Sequence, residues 1–75
     1  MKIDRKMNAV QLRMEIVASP DVWQLDMKEC HTGDLSTFSA VVSTDDGMRV
    51  ATSDINMFEA LYDLATKLQE VNDAR

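Results

Sequence analysis

The apolar residues of this chain change their spacing near residue 53. Downstream, Met57, Leu61, Leu64, Leu68 and Val71 recur every three or four residues, the stripe of an amphipathic helix. Ser53 and Asp54 precede the stripe, and either side chain can cap exposed amides of a first turn, so the spacing predicts a helix over 54–72. Glu59, Asp63 and Glu70 fall on the opposite face. Asp63 and Lys67 add an acid-before-base pair four residues apart, worth about 0.3 kcal/mol. Residues 72–75 are expected to fray.

Upstream the period is two. Val10, Leu12, Met14 and Ile16 alternate with Gln11, Arg13 and Glu15; Trp23, Leu25 and Met27 alternate with Gln24, Asp26 and Lys28. Phe38, Ala40 and Val42 alternate with Ser39, Val41 and Ser43, and Met48 and Val50 with Arg49 and Ala51. Such alternation marks strands with one buried face, here over 9–18, 22–30, 36–44 and 48–52. Ser19-Pro20-Asp21, Thr32-Gly33-Asp34 and Asp45-Asp46-Gly47 separate them with turn chemistry, and Gly47 can take the positive φ of a hairpin loop. The expected fold is α+β: a four-stranded antiparallel meander with one C-terminal helix on its apolar face (ββββα). The other sheet face, carrying residues such as Arg13, Lys28, Ser39 and Arg49, is polar enough to meet water.

The N-terminal half also fits another pattern. Ile3, Met7, Val10, Met14 and Val17 have helical spacing, and Ser19 with Pro20 could start a second helix carrying Trp23, Met27 and Cys30. That reading gives ααββα.

Seventy-five residues make one domain, with residues 1–8 as a flexible basic arm. The single cysteine, Cys30, excludes an internal disulfide and fits a reducing, cytoplasmic setting. No apolar run approaches the roughly 20 residues that span a membrane. Charge divides the chain. Residues 1–15 hold four bases (Lys2, Arg5, Lys6, Arg13) against two acids; residues 16–75 hold four bases against eleven acids. The body should repel nucleic-acid phosphates, and only the arm could attract them.

Reactive constellations are scarce. Cys30 and His31 are adjacent, but strand neighbours point to opposite faces. One His and one Cys fall short of a zinc set, Asp45-Asp46-Gly47 lacks the remaining ligands of a calcium loop, and two glycines cannot build a phosphate loop. No cofactor and no enzymatic activity is expected. Met14, Met27, Met48 and Met57 map to the expected core face, where thioethers fill gaps. Phe58 and Tyr62, one helical turn apart, either widen the core or form an exposed aromatic edge able to anchor a partner.

The stretch Phe38 to Val71, hairpin then helix, resembles the second half of double-stranded-RNA-binding domains. That family places a basic cluster at the helix start; here the residues are Asn56-Met57-Phe58-Glu59-Ala60, so RNA clamping does not carry over. Glu59-Ala60-Leu61 is similar to the helix start of HicB-type antitoxins, without that family's longer upstream signature.

The functional expectation is a small acidic protein-binding module, of a size that suits a bacterial or phage regulator or inhibitor. Its candidate interface is Asp45, Asp46, Asp54, Phe58, Glu59, Tyr62, Asp63 and Glu70. Two alternatives stand beside it. One is a dimeric nucleic-acid-linked regulator using Lys2, Arg5, Lys6 and Arg13; the other is a structural homo-oligomer joined at an open sheet edge.

Overall fold

The computed structural model describes residues 2–73. In chain order they form α1 (Ala9–Val17), β1 (Val22–Thr32), β2 (Leu35–Thr44), β3 (Gly47–Ser53) and α2 (Met57–Asp73). The class is α+β, but neither expected arrangement holds. The ββββα meander fails because residues 9–17 coil into a helix, and ααββα fails because residues 22–32 extend into a strand.

The start of α1 explains the first correction. Asn8 accepts a hydrogen bond from the Gln11 amide (2.8 Å), while the Gln11 side chain accepts one from the Asn8 amide (2.9 Å). This reciprocal capping box satisfies two amides that a first turn would otherwise leave exposed. The Val10-Leu12-Met14-Ile16 alternation is degenerate: as a helix, it buries Leu12 and Ile16, four residues apart. Val10, Met14 and Val17, the stripe expected of the helical alternative, face outward instead. A turn at Ser19-Pro20, closed by the Val22 amide donating to the Ser19 carbonyl (3.1 Å), reverses the chain into β1.

The three strands form one antiparallel sheet in the order β1-β2-β3. Gly33 (φ +61°) and Gly47 (φ +125°) supply the positive φ that the two tight hairpins require. Register fixes the faces. Ala40 lies opposite Met27 and Ala51, and Val42 opposite Leu25 and Arg49. One face therefore carries Leu25, Phe38, Ala40, Val42 and Ala51. The β3 expectation is off by one residue: Ala51 is buried, whereas Met48 and Val50 are 68% and 49% exposed on the bare face. One slip in phase exchanges the faces of an entire strand. Met14, Met27 and Met48 are likewise exposed rather than core, and Met57 alone of the four packs against the core.

α2 begins three residues later than expected. Asn56 accepts from the Glu59 amide (2.9 Å) as its cap, while the Ser53 hydroxyl accepts from the Ile55 amide (3.0 Å) in the preceding bend. The helix lies on β2 and β3, and α1 packs against α2 and β1 on the same side. Between them lie Leu12, Ile16, Ala40, Val42, Ala51, Ala60, Leu61, Leu64, Ala65 and Leu68. The α2 stripe is thus as the sequence predicts, with Leu61, Leu64 and Leu68 buried. The helix continues through Asn72 and Asp73; fraying at residues 74–75 lies outside the described residues.

The helical placement of residues 9–17 sets a clear expectation for urea denaturation. Ile16→Ala should cost about 2–5 kcal/mol of stability, a large part of what a domain this size possesses. Met14→Ala, outside the core, should stay within about 0.5 kcal/mol of wild type. Equal losses at the two positions would refute the buried face assigned to α1.

Candidate functional site

The segment ahead of α1 folds back on α2. Ile3 and Met7 pack against the core, and Arg5 is held between them. Its guanidinium donates to both carboxylate oxygens of Glu59, at 3.1 and 2.6 Å, the bidentate geometry that suits arginine. The same group lies 5.3 Å from the Phe58 ring centre and 4.8 Å from that of Tyr62. The two rings stack 5.8 Å apart. A cation over aromatic faces is attracted by their quadrupoles, so one side chain satisfies three α2 residues. The hydrogen bonds from Arg5 hold the Glu59 carboxyl below its ordinary 4.5, against an opposing desolvation and with the help of the arginine charge. Glu59 in turn pushes Arg5 further up.

This arrangement redistributes the residues singled out in the sequence. Phe58, Glu59 and Tyr62 come together, but under Arg5. Asp63 forms an ion pair with Lys67 at 3.3 Å, and Glu70 lies further along the exposed side of α2. Asp45 and Asp46 form the β2–β3 turn, whereas Asp54 follows the far end of β3. Seven strand residues separate the two groups, a span of about 23 Å. Asp54 and the Asp45-Asp46 turn thus lie at opposite ends of β3, with Glu59, Asp63 and Glu70 spaced along α2. Among the bases, Lys2, Lys6 and Arg13 are exposed, and Arg13 stands on α1 rather than on the arm.

The β1–β2 hairpin carries an array that sequence spacing does not reveal. β3 pairs with β2 only from Phe38 to Thr44, so residues 30–37 project as a two-stranded ribbon. On it, His31 Nδ1 meets the Ser36 hydroxyl at 2.8 Å and His31 Nε2 meets Glu29 at 3.1 Å. Hydroxyl, imidazole and carboxylate in sequence have the order of a nucleophile–base–orienter set. Both His31 and Glu29 are more than half exposed, in water that screens such contacts. The array fits a cross-strand clamp, Ser36 lying directly opposite His31. Cys30, on the alternate face, is exposed and takes no part.

The apolar feature of greatest extent on the first helix is its outer face. Val10, Met14 and Val17 are 65%, 63% and 51% exposed at spacings of four and three. Beside them a shallow groove of about 350 Å³ is lined by Met7, Gln11, Met14, Glu15 and Ala18. The sequence contained this stripe, but as a candidate core face. Among the described residues no group of His, Cys, Asp or Glu has the arrangement of a metal site, and no helix is long and apolar enough to cross a membrane.

Comparison with protein-family models, curated proteins and solved structures yields no match to this chain.

The Arg5 clamp has a pH signature. Glu59 has a folded pKa below its unfolded one, so the clamp stabilises above the unfolded value and is lost as pH falls through the folded value. Arg5→Ala should melt below wild type at neutral pH, and the gap should narrow as the pH drops below 4.5, leaving the part due to the Phe58 and Tyr62 contacts. Thermal melts from about pH 7 to about pH 3 check this, and a gap that does not change with pH would contradict it.

Proposed function

We propose that this chain is a small, non-enzymatic protein-binding module that docks its partner on the outer face of α1. The observation that carries the reading is the Val10-Met14-Val17 stripe, more than half exposed along one helix face beside a groove. Contiguous exposed apolar surface of this kind is rare on small proteins without an interaction to cover it. Methionine suits such a surface because its flexible thioether adapts to a partner's shape.

The acidic body shapes the choice of partner. Residues 16–75 carry eleven acids against four bases, and Glu15 stands at the groove itself. Such a field attracts a segment in which apolar residues are flanked by Lys or Arg, and it speeds encounter more than it tightens the complex. Glu59 and Asp63, expected at the contact, are held by Arg5 and Lys67. In this reading the field comes from the overall excess of acids in residues 16–75, and α1 makes the contact.

Capture from host lysate with wild type and Met14→Glu, followed by calorimetry on the captured protein, tests the reading. The variant should melt within about 4 °C of wild type, since Met14 lies outside the core. It should bind the partner about tenfold or more weakly, because it places a charge in the middle of the stripe. A nuclease-resistant partner that binds Met14→Glu as tightly as wild type would remove α1 from the interface.

A further inference from the structure

The two edges of the sheet are not equivalent. In β3, Gly47 pairs with Thr44 across the two-residue turn, which assigns the backbone groups of Gly47, Arg49, Ala51 and Ser53 to β2. Those of Met48, Val50 and Thr52 point outward by the same alternation. At the middle of that outer edge Lys67 reaches over from α2, and its ammonium donates to the Val50 carbonyl at 3.0 Å. A lysine so placed obstructs strand addition.

β1 carries a β-bulge between Val22 and Gln24, but beyond it, among the described residues, no side chain is seated over the outer edge as Lys67 is on β3. Thr32 pairs with Leu35 across the other turn, so Leu25, Met27, Glu29 and His31 direct their amides and carbonyls away from β2. Among the described residues no backbone hydrogen bond reaches these groups from another segment. The strand is eleven residues long and free of proline. A long edge with open backbone groups is a template for another strand.

We infer that β1 pairs antiparallel with β1 of a second copy about a two-fold axis at Met27, making one six-stranded sheet from two chains. This inference goes beyond the proposed docking on α1 and does not depend on it. Met27 is the midpoint of Val22–Thr32; the β-bulge interrupts the strand between Val22 and Gln24, so this register pairs the regular stretch 24–30 of each copy. Met27 would face its symmetry mate in a hydrogen-bonded pair, with Leu25 opposite Glu29 on either side, forming about six backbone hydrogen bonds.

Charge favours this register over the neighbouring ones with the axis at residue 26, 28 or 29. With the axis at Met27, Asp26 lies directly opposite Lys28 of the second copy, twice, in the non-hydrogen-bonded pairs where side chains come closest. Shifting the axis to residue 26, 28 or 29 sets Asp26, Lys28 or Glu29 against itself. Both charged residues are exposed on the bare face; Asp26 already accepts from the Gln24 side chain at 2.8 Å, and Lys28 has no ion pair among the described residues. On the opposite face the two Met27 side chains, each 41% exposed in the single chain, would cover one another.

Sedimentation of the full-length chain from micromolar to millimolar concentration tests this, with circular dichroism confirming that each variant is folded. Wild type should dimerise, and Lys28→Asp should weaken the dimer about tenfold or more by opposing like charges. The swap Asp26→Lys with Lys28→Asp should restore it. Met27→Cys in a Cys30→Ser background should oxidise to a covalent dimer, because a facing pair brings the Cα atoms within disulfide reach. A chain that stays monomeric throughout overturns the inference, as does a dimer indifferent to Lys28→Asp. Rapid Cys30–Cys30 bonding between wild-type chains, with Met27→Cys left uncrosslinked, overturns the register. Met14→Glu should dimerise normally, which separates failure of this interface from failure of the α1 surface.

Discussion

The close approach of α2 to the sheet is the constraint on which the rest of the molecule depends. Ala40 and Ala51 face one another across β2 and β3, Ala60 and Ala65 lie on the helix, and all four are buried. Small side chains at the centre of a helix–sheet contact let the backbones come together, and Leu61, Leu64 and Leu68 then fill the surrounding space. Such a core is narrow. Alanine removes little apolar area from water, so the leucines and the two residues contributed by α1 must supply most of the hydrophobic driving force. This explains why α1 packs at all: Leu12 and Ile16 close the side of the core that α2, lying on β2 and β3, leaves open.

The N-terminal segment completes that closure through polar chemistry. Arg5 covers Phe58 and Tyr62 and neutralises Glu59, so aromatic surface at the beginning of α2 is shielded by a cation rather than by another apolar side chain. Arginine suits the position because its planar group can stack on a ring and bind a carboxylate at once. The basic start and acidic body, which look like independent features of the sequence, meet at this contact. Charge asymmetry along the chain here serves an intramolecular contact.

Legibility in the sequence followed from how many independent signals each element carried. α2 combined a full helical stripe with acids on the other side, and β2 and β3 were bracketed by glycine turns; these elements are present as read, apart from the phase of β3 and the later start of α2. The α1 segment carried conflicting signals, since Val10, Leu12, Met14 and Ile16 satisfy both periods. Its deciding feature was the Asn8–Gln11 spacing, a capping box readable before the apolar run. The phase of β3 could not be read from pattern alone, because Ala51 is a weaker apolar signal than Met48 or Val50, yet only a small residue meets Ala40 beneath α2. The Arg5 clamp joins residues 54 positions apart, and the His31 clamp depends on hairpin register, so neither was accessible to local spacing.

Lys67 makes two contacts, one with Asp63 on its own helix and one with the Val50 carbonyl at the edge of β3. Its effect extends beyond those bonds. A sheet open at both margins can add strands without limit and grow into a fibre, whereas a sheet open at one margin runs out of valence after a single addition. With the proposed pairing at β1, the ammonium would act as a chain terminator, biasing the assembly toward a closed, finite particle.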